Sequence, residues 1–404
     1  MARHDSVMPG LILNVWRCTD SRLKLMQENS MIQKKERGAA NDTQFAVEIW
    51  EADRVLVRES VSRADLIFAR DETWIHGLRT GNLGWNLHDL SMSVLPGKED
   101  FAGRLSSYYV ELAEGERTVR REFSMLSLSS VAVRAKKRLG EDSAEKDREF
   151  VFYLKQLQVD SHDRSTVDSR AGETARGMGV GTLLTRKTEI PDFESASLTE
   201  YLRDSEILQS PSLPLEEDQD VVPVFLTREV WDQTDALARR GGDKESAAMW
   251  TGRLMRDGES PEFFMRIDCC IPAELATEET YSVTFSGSTW ADLEGRLAVR
   301  RKRLNRPAER FLGSVHGHNF PVPPDAEGNT QCAACSQAEI CGRTTAFLSQ
   351  DDERWHRSVF LKQPWATLLI YGWNARGEKD FKLYGLKDGR LQPRSLRLLK
   401  TDPK

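Results

Sequence analysis

The hydrophobic pattern of the first 160 residues predicts antiparallel strands. Residues 45–60, FAVEIWEADRVLVRES, and residues 108–123, YYVELAEGERTVRREF, alternate apolar and polar positions on both sides of a short polar turn. Alternation with a period of two is typical of strands that bury one face, and two such runs around a turn predict a hairpin. We therefore predict a β-rich accessory domain over residues 1–160, whose role the pattern does not indicate.

The composition turns polar after that domain. Residues 160–187 are rich in Ser, Thr, Asp, Arg and Gly, and residues 210–219, SPSLPLEEDQ, combine prolines with acidic side chains. Such composition is typical of a linker, which we predict over residues 161–219. Within it, residues 197–208, SLTEYLRDSEIL, have the spacing of a short helix.

From residue 220 onward, apolar strands alternate with helices. Helical spacing predicts helices at 227–240 and 288–304, the second capped by Ser288 or Thr289. Together these elements predict an α+β domain over residues 220–404, built as a mixed sheet flanked by helices. Short apolar runs predict strands at 222–226, 246–255, 263–273, 281–287, 310–320, 365–374 and 379–389.

Composition and charge narrow the class of protein. Hydrophobic content of 39% and charged content of 30% suit a soluble globular chain, and no apolar run approaches the roughly 18 residues of a membrane helix. The net charge of -6 argues against a general nucleic-acid binder. The N-terminus lacks the shape of a signal peptide, and clustered cysteines are then typical of metal ligands or reduced thiols. We expect a cytoplasmic protein with neither membrane nor nucleic-acid partners.

Two histidines, one residue apart, carry the clearest chemical signal. His316 and His318 follow an apolar run, and on a strand such positions share one face, so both imidazoles can converge on one metal ion. Further along, residues 347–356, FLSQDDERWH, supply Ser349 and Asp352. Upstream, residues 243–254, DKESAAMWTGRL, supply Glu245.

In this order, Glu245, His316-x-His318 and Ser349-x-x-Asp352 resemble the signature of the JAB/MPN metalloproteases, also called JAMM. The resemblance covers about residues 220–390 and implies a JAB/MPN-like fold. It departs from the family pattern at three points. Ala248 and Asn319 replace a usual glycine and proline, whereas Gly252 matches, and residues 319–348 form a longer spacer than the family has between its second histidine and its serine.

A catalytic zinc takes three protein ligands and keeps one open position, and His316, His318 and Asp352 make such a set. Glu245 is then the candidate general base, and Ser349 is the candidate donor to a developing oxyanion. The resemblance implies an isopeptidase or peptidase that cleaves after the C-terminus of a ubiquitin-like protein. It also implies that the partners are that protein or its conjugates, with E1-like and E2-like proteins in bacterial and sometimes anti-phage settings.

The spacer over residues 319–348 is predicted to be an inserted loop with a possible second metal. Cys332, Cys335 and Cys341 are close enough to bind a structural zinc, with a fourth ligand from His356, Cys269 or Cys270. An iron–sulfur cluster, free thiols and a single structural site formed by the two histidines with Cys332 and Cys335 remain open. The functional alternatives are a metal-free MPN scaffold and a small-molecule JAB hydrolase.

Overall fold

A computed structural model gives the conformation of most of the chain. The described residues belong to one compact unit, Thr43–Lys404. The predictions for Cys332, Cys335 and Cys341 fall outside the described residues. The structure describes residues 44–51, 54–100, 103–138, 151–157, 191–210, 221–240, 244–279, 282–319, 344–374 and 377–401.

Both hairpins predicted near the N-terminus are confirmed. The first lies in a three-stranded sheet and the second in a three-stranded meander, and all neighbouring strands in the two sheets are antiparallel. In the first sheet β1 lies between β2 and β6, and in the second β4 lies between β3 and β5. The strands are β1 (Gln44–Glu51), β2 (Arg54–Ser60), β3 (Ser91–Pro96), β4 (Ser107–Glu114), β5 (Arg117–Ser124) and β6 (Val151–Leu157).

Two α-helices accompany these strands, α1 (Ile67–Arg79) and α2 (Ser129–Arg138). The pattern did not predict α1, because the helix is buried around most of its circumference and so lacks a polar face with helical period. Trp74 of α1 is 1% exposed. Its indole nitrogen donates a hydrogen bond to the carbonyl oxygen of Gly84 at 3.0 Å.

The rest of the described chain forms a large mixed sheet with four helices. The predicted mixture of helices and strands is confirmed. The helices are α3 (Leu198–Arg203), α4 (Arg228–Arg240), α5 (Gly287–Leu304) and α6 (Gln350–Val359). The strands are β7 (Phe193–Ala196), β8 (Ser205–Ile207), β9 (Val224–Thr227), β10 (Ser246–Asp257), β11 (Phe263–Pro272), β12 (Thr277–Glu279), β13 (Ser282–Thr284), β14 (Arg310–Gly317), β15 (Thr367–Trp373), β16 (Lys379–Lys387), β17 (Arg390–Arg394) and β18 (Arg397–Leu399).

Within the described residues, strand order in the large sheet is β17-β16-β15-β14-β10-β11-β9-β18-β8, and β7 pairs with β10. Strand β14 is antiparallel to β10 and parallel to β15. The short hairpin β12-β13 stands outside this sheet. Two strands of the large sheet, β7 and β8, come from the segment predicted as a linker. The helix predicted there over residues 197–208 is confirmed only as α3, and β8 occupies the later part of that stretch. Polar composition therefore hid strands whose partners lie far away in sequence.

The central strand β10 is buried on both faces. Ala248 and Trp250 belong to one hydrophobic cluster, whereas Ala247 and Met249 belong to a second cluster with Leu293 of α5. Successive side chains of a strand point to opposite faces, so a strand covered on both sides has a continuous apolar run. The observed arrangement explains why residues 246–255 contain so few polar residues.

Two local features differ from or extend the sequence predictions. Helix α5 is capped by Ser286 rather than by Ser288 or Thr289, because Thr289 sits at the third helical position of a capping box. On β10, Gly252 lies where the strand register shifts, and a β-carbon there would collide with the carbonyl oxygen of Arg266. Close backbone approach thus requires glycine at position 252.

Aromatic side chains from both predicted domains meet in one cluster. Trp85 lies between Phe263 of β11 and Trp365, with ring centroids 5.2 and 5.9 Å away. Beside them, Arg79 Nε lies 2.6 Å from Glu262 Oε2. These contacts join the strands near the N-terminus to the large sheet. No helix among the described residues is both long enough and apolar enough to cross a membrane.

Candidate metal centre

The end of β14 brings the predicted site residues together. His316 is the penultimate residue of the strand, and His318 follows directly after it. Antiparallel pairing places Ser246 opposite Gly317 and Ala247 opposite His316. Glu245, which immediately precedes β10, therefore lies beside the two histidines. Strand register alone accounts for this proximity across about seventy residues of sequence.

The side-chain contacts converge on His316. Its Nε2 lies 2.9 Å from Glu245 Oε2, and its Nδ1 lies 3.0 Å from Asp352 Oδ1. The second carboxylate oxygen of Asp352 lies 3.6 Å from Nε2 of His318. The two imidazole centroids are 4.7 Å apart. Four of the five predicted site residues thus have side chains in mutual contact.

This cluster could hold a metal ion. Ligand atoms of Glu245, His316 and His318 all lie within 4.8 Å of one another. The sequence prediction instead grouped the two histidines with Asp352 and kept Glu245 as a base. Both carboxylates contact His316, so the arrangement places two acidic groups around the imidazoles rather than one.

The electrostatics favour a positive charge at this point. Burial opposes charging of His316, but hydrogen bonds to Asp352 and Glu245 outweigh it and raise the pKa of His316 to about 10. Burial would raise the pKa of Asp352, yet its hydrogen bond and charge interaction with His316 hold that pKa below its usual range. Burial, together with the charge on His316, lowers the pKa of His318. These contacts therefore favour the charged form of the His316 imidazole and the neutral form of the His318 imidazole.

A backbone carbonyl orients His318. The ring Nδ1 lies 2.7 Å from the carbonyl oxygen of Thr345, and because a carbonyl only accepts, Nδ1 carries the proton. Nε2 then has the lone pair that a metal ligand needs. Thr345 is fully buried, and its hydroxyl donates to the carbonyl oxygen of His318 at 3.1 Å. Sequence analysis missed Thr345 because a carbonyl is not a property of any side chain.

Ser349 and Asp352 form the capping box of α6. The Asp352 amide donates to Ser349 Oγ at 3.1 Å, and the Ser349 amide donates to Asp352 Oδ2 at 3.0 Å. A capping box satisfies two of the free amides at a helix start. It also fixes the Asp352 side chain while Oδ1 faces His316. The S-x-x-D spacing was visible in the sequence, and its capping role could have been predicted from it.

A second unpredicted contact ties the two strand ends together. The Asn319 side chain donates to the carbonyl oxygen of Lys244 at 2.6 Å, one residue before Glu245. Asn319 is the residue that replaces the usual family proline. Proline could not make this contact, because it has no side-chain donor.

Of the residues proposed for a second metal, only the three alternatives for the fourth ligand, Cys269, Cys270 and His356, lie in the described part of the chain. Cys269 and Cys270 of β11 are free thiols, and burial raises the pKa of both. His356 is buried within α6 next to Phe360, with ring centroids 4.9 Å apart. The remaining three cysteines of that prediction lie in residues 320–343, outside the described part of the chain.

Comparisons with known proteins give little further information. No protein-family model matches the chain, and no curated protein matches it. Among solved structures, the solution structure of protein DSY2949 from Desulfitobacterium hafniense is similar at 18% identity with a TM-score of 0.28. That match covers 44% of this chain and 94% of the other. A likeness at this TM-score carries no argument about the fold or the function.

Proposed function

We propose that the chain is a zinc-dependent isopeptidase or peptidase of the JAB/MPN type. The observation that carries the proposal is the meeting of Glu245, His316, His318 and Asp352 at the end of β14. A JAB/MPN-like fold over residues 220–404 is part of the same proposal. Support for it comes from a mixed sheet with helices packed on it and from the order of the motif residues along the chain.

The donor set suits zinc. Imidazole nitrogen and carboxylate oxygen are both common zinc ligands, and two histidines with one carboxylate leave a coordination position open. Despite its burial, two flanking carboxylates hold the pKa of His316 at about 10, so the site stabilises a positive charge. Histidine, as a ligand, must be deprotonated, so a bound cation takes the place of that proton.

Zinc, when bound, supplies the Lewis acidity that makes water a nucleophile at neutral pH. The other roles belong to the chain itself. Glu245 is 4% exposed, and its Oε2 would take the proton from the attacking water and return it to the leaving amine. Ser349 Oγ accepts the Asp352 amide, which leaves its hydroxyl hydrogen to donate toward an oxyanion.

The resemblance of the motif, rather than the geometry, suggests the substrate. It favours cleavage after the C-terminus of a ubiquitin-like protein, which would be deconjugated or processed with E1-like and E2-like partners. A metal-free scaffold role is disfavoured, because two carboxylates and two imidazoles converge in a buried site where they would otherwise be costly. Hydrolysis of a small molecule would use the same residues. An assay of cleavage on a fusion of a ubiquitin-like protein distinguishes protease activity from that alternative.

A paired measurement of zinc content and cleavage tests the proposal. We expect wild-type protein to contain zinc and to cleave a fusion of a ubiquitin-like protein to a reporter. The His316→Ala, His318→Ala double variant should contain one zinc ion fewer and show no cleavage. Equal zinc content in the two proteins would contradict the assignment of these ligands.

A further inference from the structure

Asp380 of β16 is a buried carboxylate that holds two distant segments. Its side chain is fully buried. Oδ1 accepts a hydrogen bond from the Ser210 hydroxyl at 2.7 Å, and Oδ2 accepts one from the Thr344 hydroxyl. Burying an ionised carboxylate is costly unless such bonds satisfy its oxygens. The first described residue after the predicted insertion is thereby attached to the large sheet.

Thr344 is directly joined to the residue that orients a metal ligand. The Thr345 carbonyl accepts a hydrogen bond from His318 Nδ1. On the other side, the Thr345 amide donates to the carbonyl oxygen of Trp373 at 2.9 Å, and the Trp373 amide donates to the Thr345 hydroxyl at 2.7 Å. The short stretch from Thr344 therefore lies between β15 and His318 and is hydrogen-bonded to both.

Close packing makes this stretch sensitive to small displacements. At Gly372 of β15, a β-carbon would collide with the Thr345 hydroxyl and with the amide of Ala346. The Ala346 amide in turn donates to the Thr344 hydroxyl at 3.0 Å. The Thr344 hydroxyl thus accepts a hydrogen bond from the Ala346 amide and donates one to Asp380. The close contact at Gly372 leaves no space for this stretch to move toward β15.

We infer that Asp380 is a positioning residue for His318, acting through Thr344 and the Thr345 carbonyl. The inference deepens the proposed function, since it concerns the same metal centre. Groups that hold the non-ligating nitrogen of a metal-bound histidine set the ring orientation, and their loss typically lowers metal affinity by about 10- to 100-fold. Asp380 acts one bond further out, so we expect an effect near the lower end of that range.

Two variants remove one hydroxyl donor each from the same carboxylate. Thr344→Val removes the hydrogen bond that connects Asp380 to the path toward His318. Ser210→Ala removes the hydrogen bond that connects Asp380 to the segment after β8. Asp380→Asn retains the shape and loses one acceptor oxygen. Zinc affinity is measured by competition with a chromophoric chelator. The absorption bands of the cobalt-substituted protein report the ligand geometry independently of activity.

We expect Thr344→Val and Asp380→Asn to weaken zinc binding by about 10-fold and to shift the cobalt bands. Ser210→Ala should retain wild-type affinity and bands, even where it lowers the melting temperature as much as Thr344→Val does. Equal zinc affinity in Thr344→Val and Ser210→Ala would overturn the inference and leave the proposed function intact. A wild-type protein without zinc affinity would instead overturn the proposed function. If Asp380→Asn does not fold, the comparison of the two hydroxyl variants decides.

Discussion

The pKa values of His316 and His318 are shifted in opposite directions, although only one residue separates the two histidines. His316 faces two carboxylates, which raise its pKa to about 10. Burial and the neighbouring charged imidazole lower the pKa of His318, although its hydrogen bond to the Thr345 carbonyl opposes the shift. The residue type therefore specifies which atoms can bind a metal, and the neighbours decide which atoms hold protons.

Glu245→Gln separates the two roles open to this carboxylate. We expect the variant to retain zinc and to lose turnover by about 10²- to 10⁴-fold, because a general base supplies an effect of that size. Zinc content and turnover are measured together. Loss of zinc from the variant would show that Glu245 is a ligand rather than the base.

Glu279→Gln is the matched control for that experiment. The Glu279 carbonyl accepts the Glu245 amide, and its exposed side chain accepts the Ser282 hydroxyl at 3.1 Å. Glu279 is hydrogen-bonded to Glu245 through the backbone. Within the described part of the chain, its carboxylate makes no hydrogen bond to His316 or His318. We expect wild-type zinc content and turnover from it.

At the scale of elements, two helices share one capping device with different consequences. Helix α5 begins with Ser286 and Thr289, and helix α6 begins with Ser349 and Asp352, and both pairs form capping boxes. In α6 the partner of the cap also contacts His316. The start of α6 therefore couples helix stability to the metal centre, and the start of α5 does not.

Ser349→Ala and Ser286→Ala test this difference. Loss of an N-cap serine typically lowers the free energy of unfolding by about 1 kcal/mol, so we expect similar losses in both variants by urea denaturation. Zinc affinity should fall only in Ser349→Ala, since only there does the capping partner face the ligands. An equal loss of affinity in Ser286→Ala would contradict the coupling.

At the scale of the whole molecule, α1 and α6 line a small cavity. Its volume is about 30 Å³, and its lining includes Asp71, His356, Arg357 and Gln363. Nδ1 of His356 and Oε1 of Gln363 are buried there without a hydrogen-bond partner among the described residues. Burial lowers the pKa of His356 to about 4. None of the residues that line this cavity belongs to the metal centre.

Stability should therefore depend on pH through His356. The unfolded chain takes up this proton near pH 6.5 and the folded protein only near pH 4, so the free energy of unfolding falls as pH drops between these values. From pH 7 to pH 5 we expect His356 to account for a loss of about 2 kcal/mol. Urea denaturation of wild type and His356→Gln at both pH values measures it.

The comparison between the two proteins isolates His356. Burial raises the pKa of Asp71, which lines the same cavity and opposes the trend, but Asp71 titrates in both proteins and its contribution cancels. An identical loss of stability in wild type and His356→Gln would show that another group titrates.

Local patterns predicted much of the fold. Both hairpins, the buried strands β10 and β11, and helices α3 to α5 were visible because apolar spacing reports the period of an element. Helix α1 was not predicted, since burial on nearly all sides removes that period. Strand β7 was missed because polar residues such as Glu194 obscure a strand that pairs at a distance, and β8 was missed because its residues continue the helical spacing of α3.

The sequence by itself determined which groups can do chemistry at the centre, because only Glu, Asp and His side chains offer those ligands and protons. The tertiary structure alone decided how they meet. The pairing of β10 with β14 sets Glu245 beside His316, and Asp380 lies near Ser210 and Thr344 only through the sheet. A carbonyl such as that of Thr345 has no sequence signature. Its role depends on strand register, which arises from contacts between residues far apart along the chain.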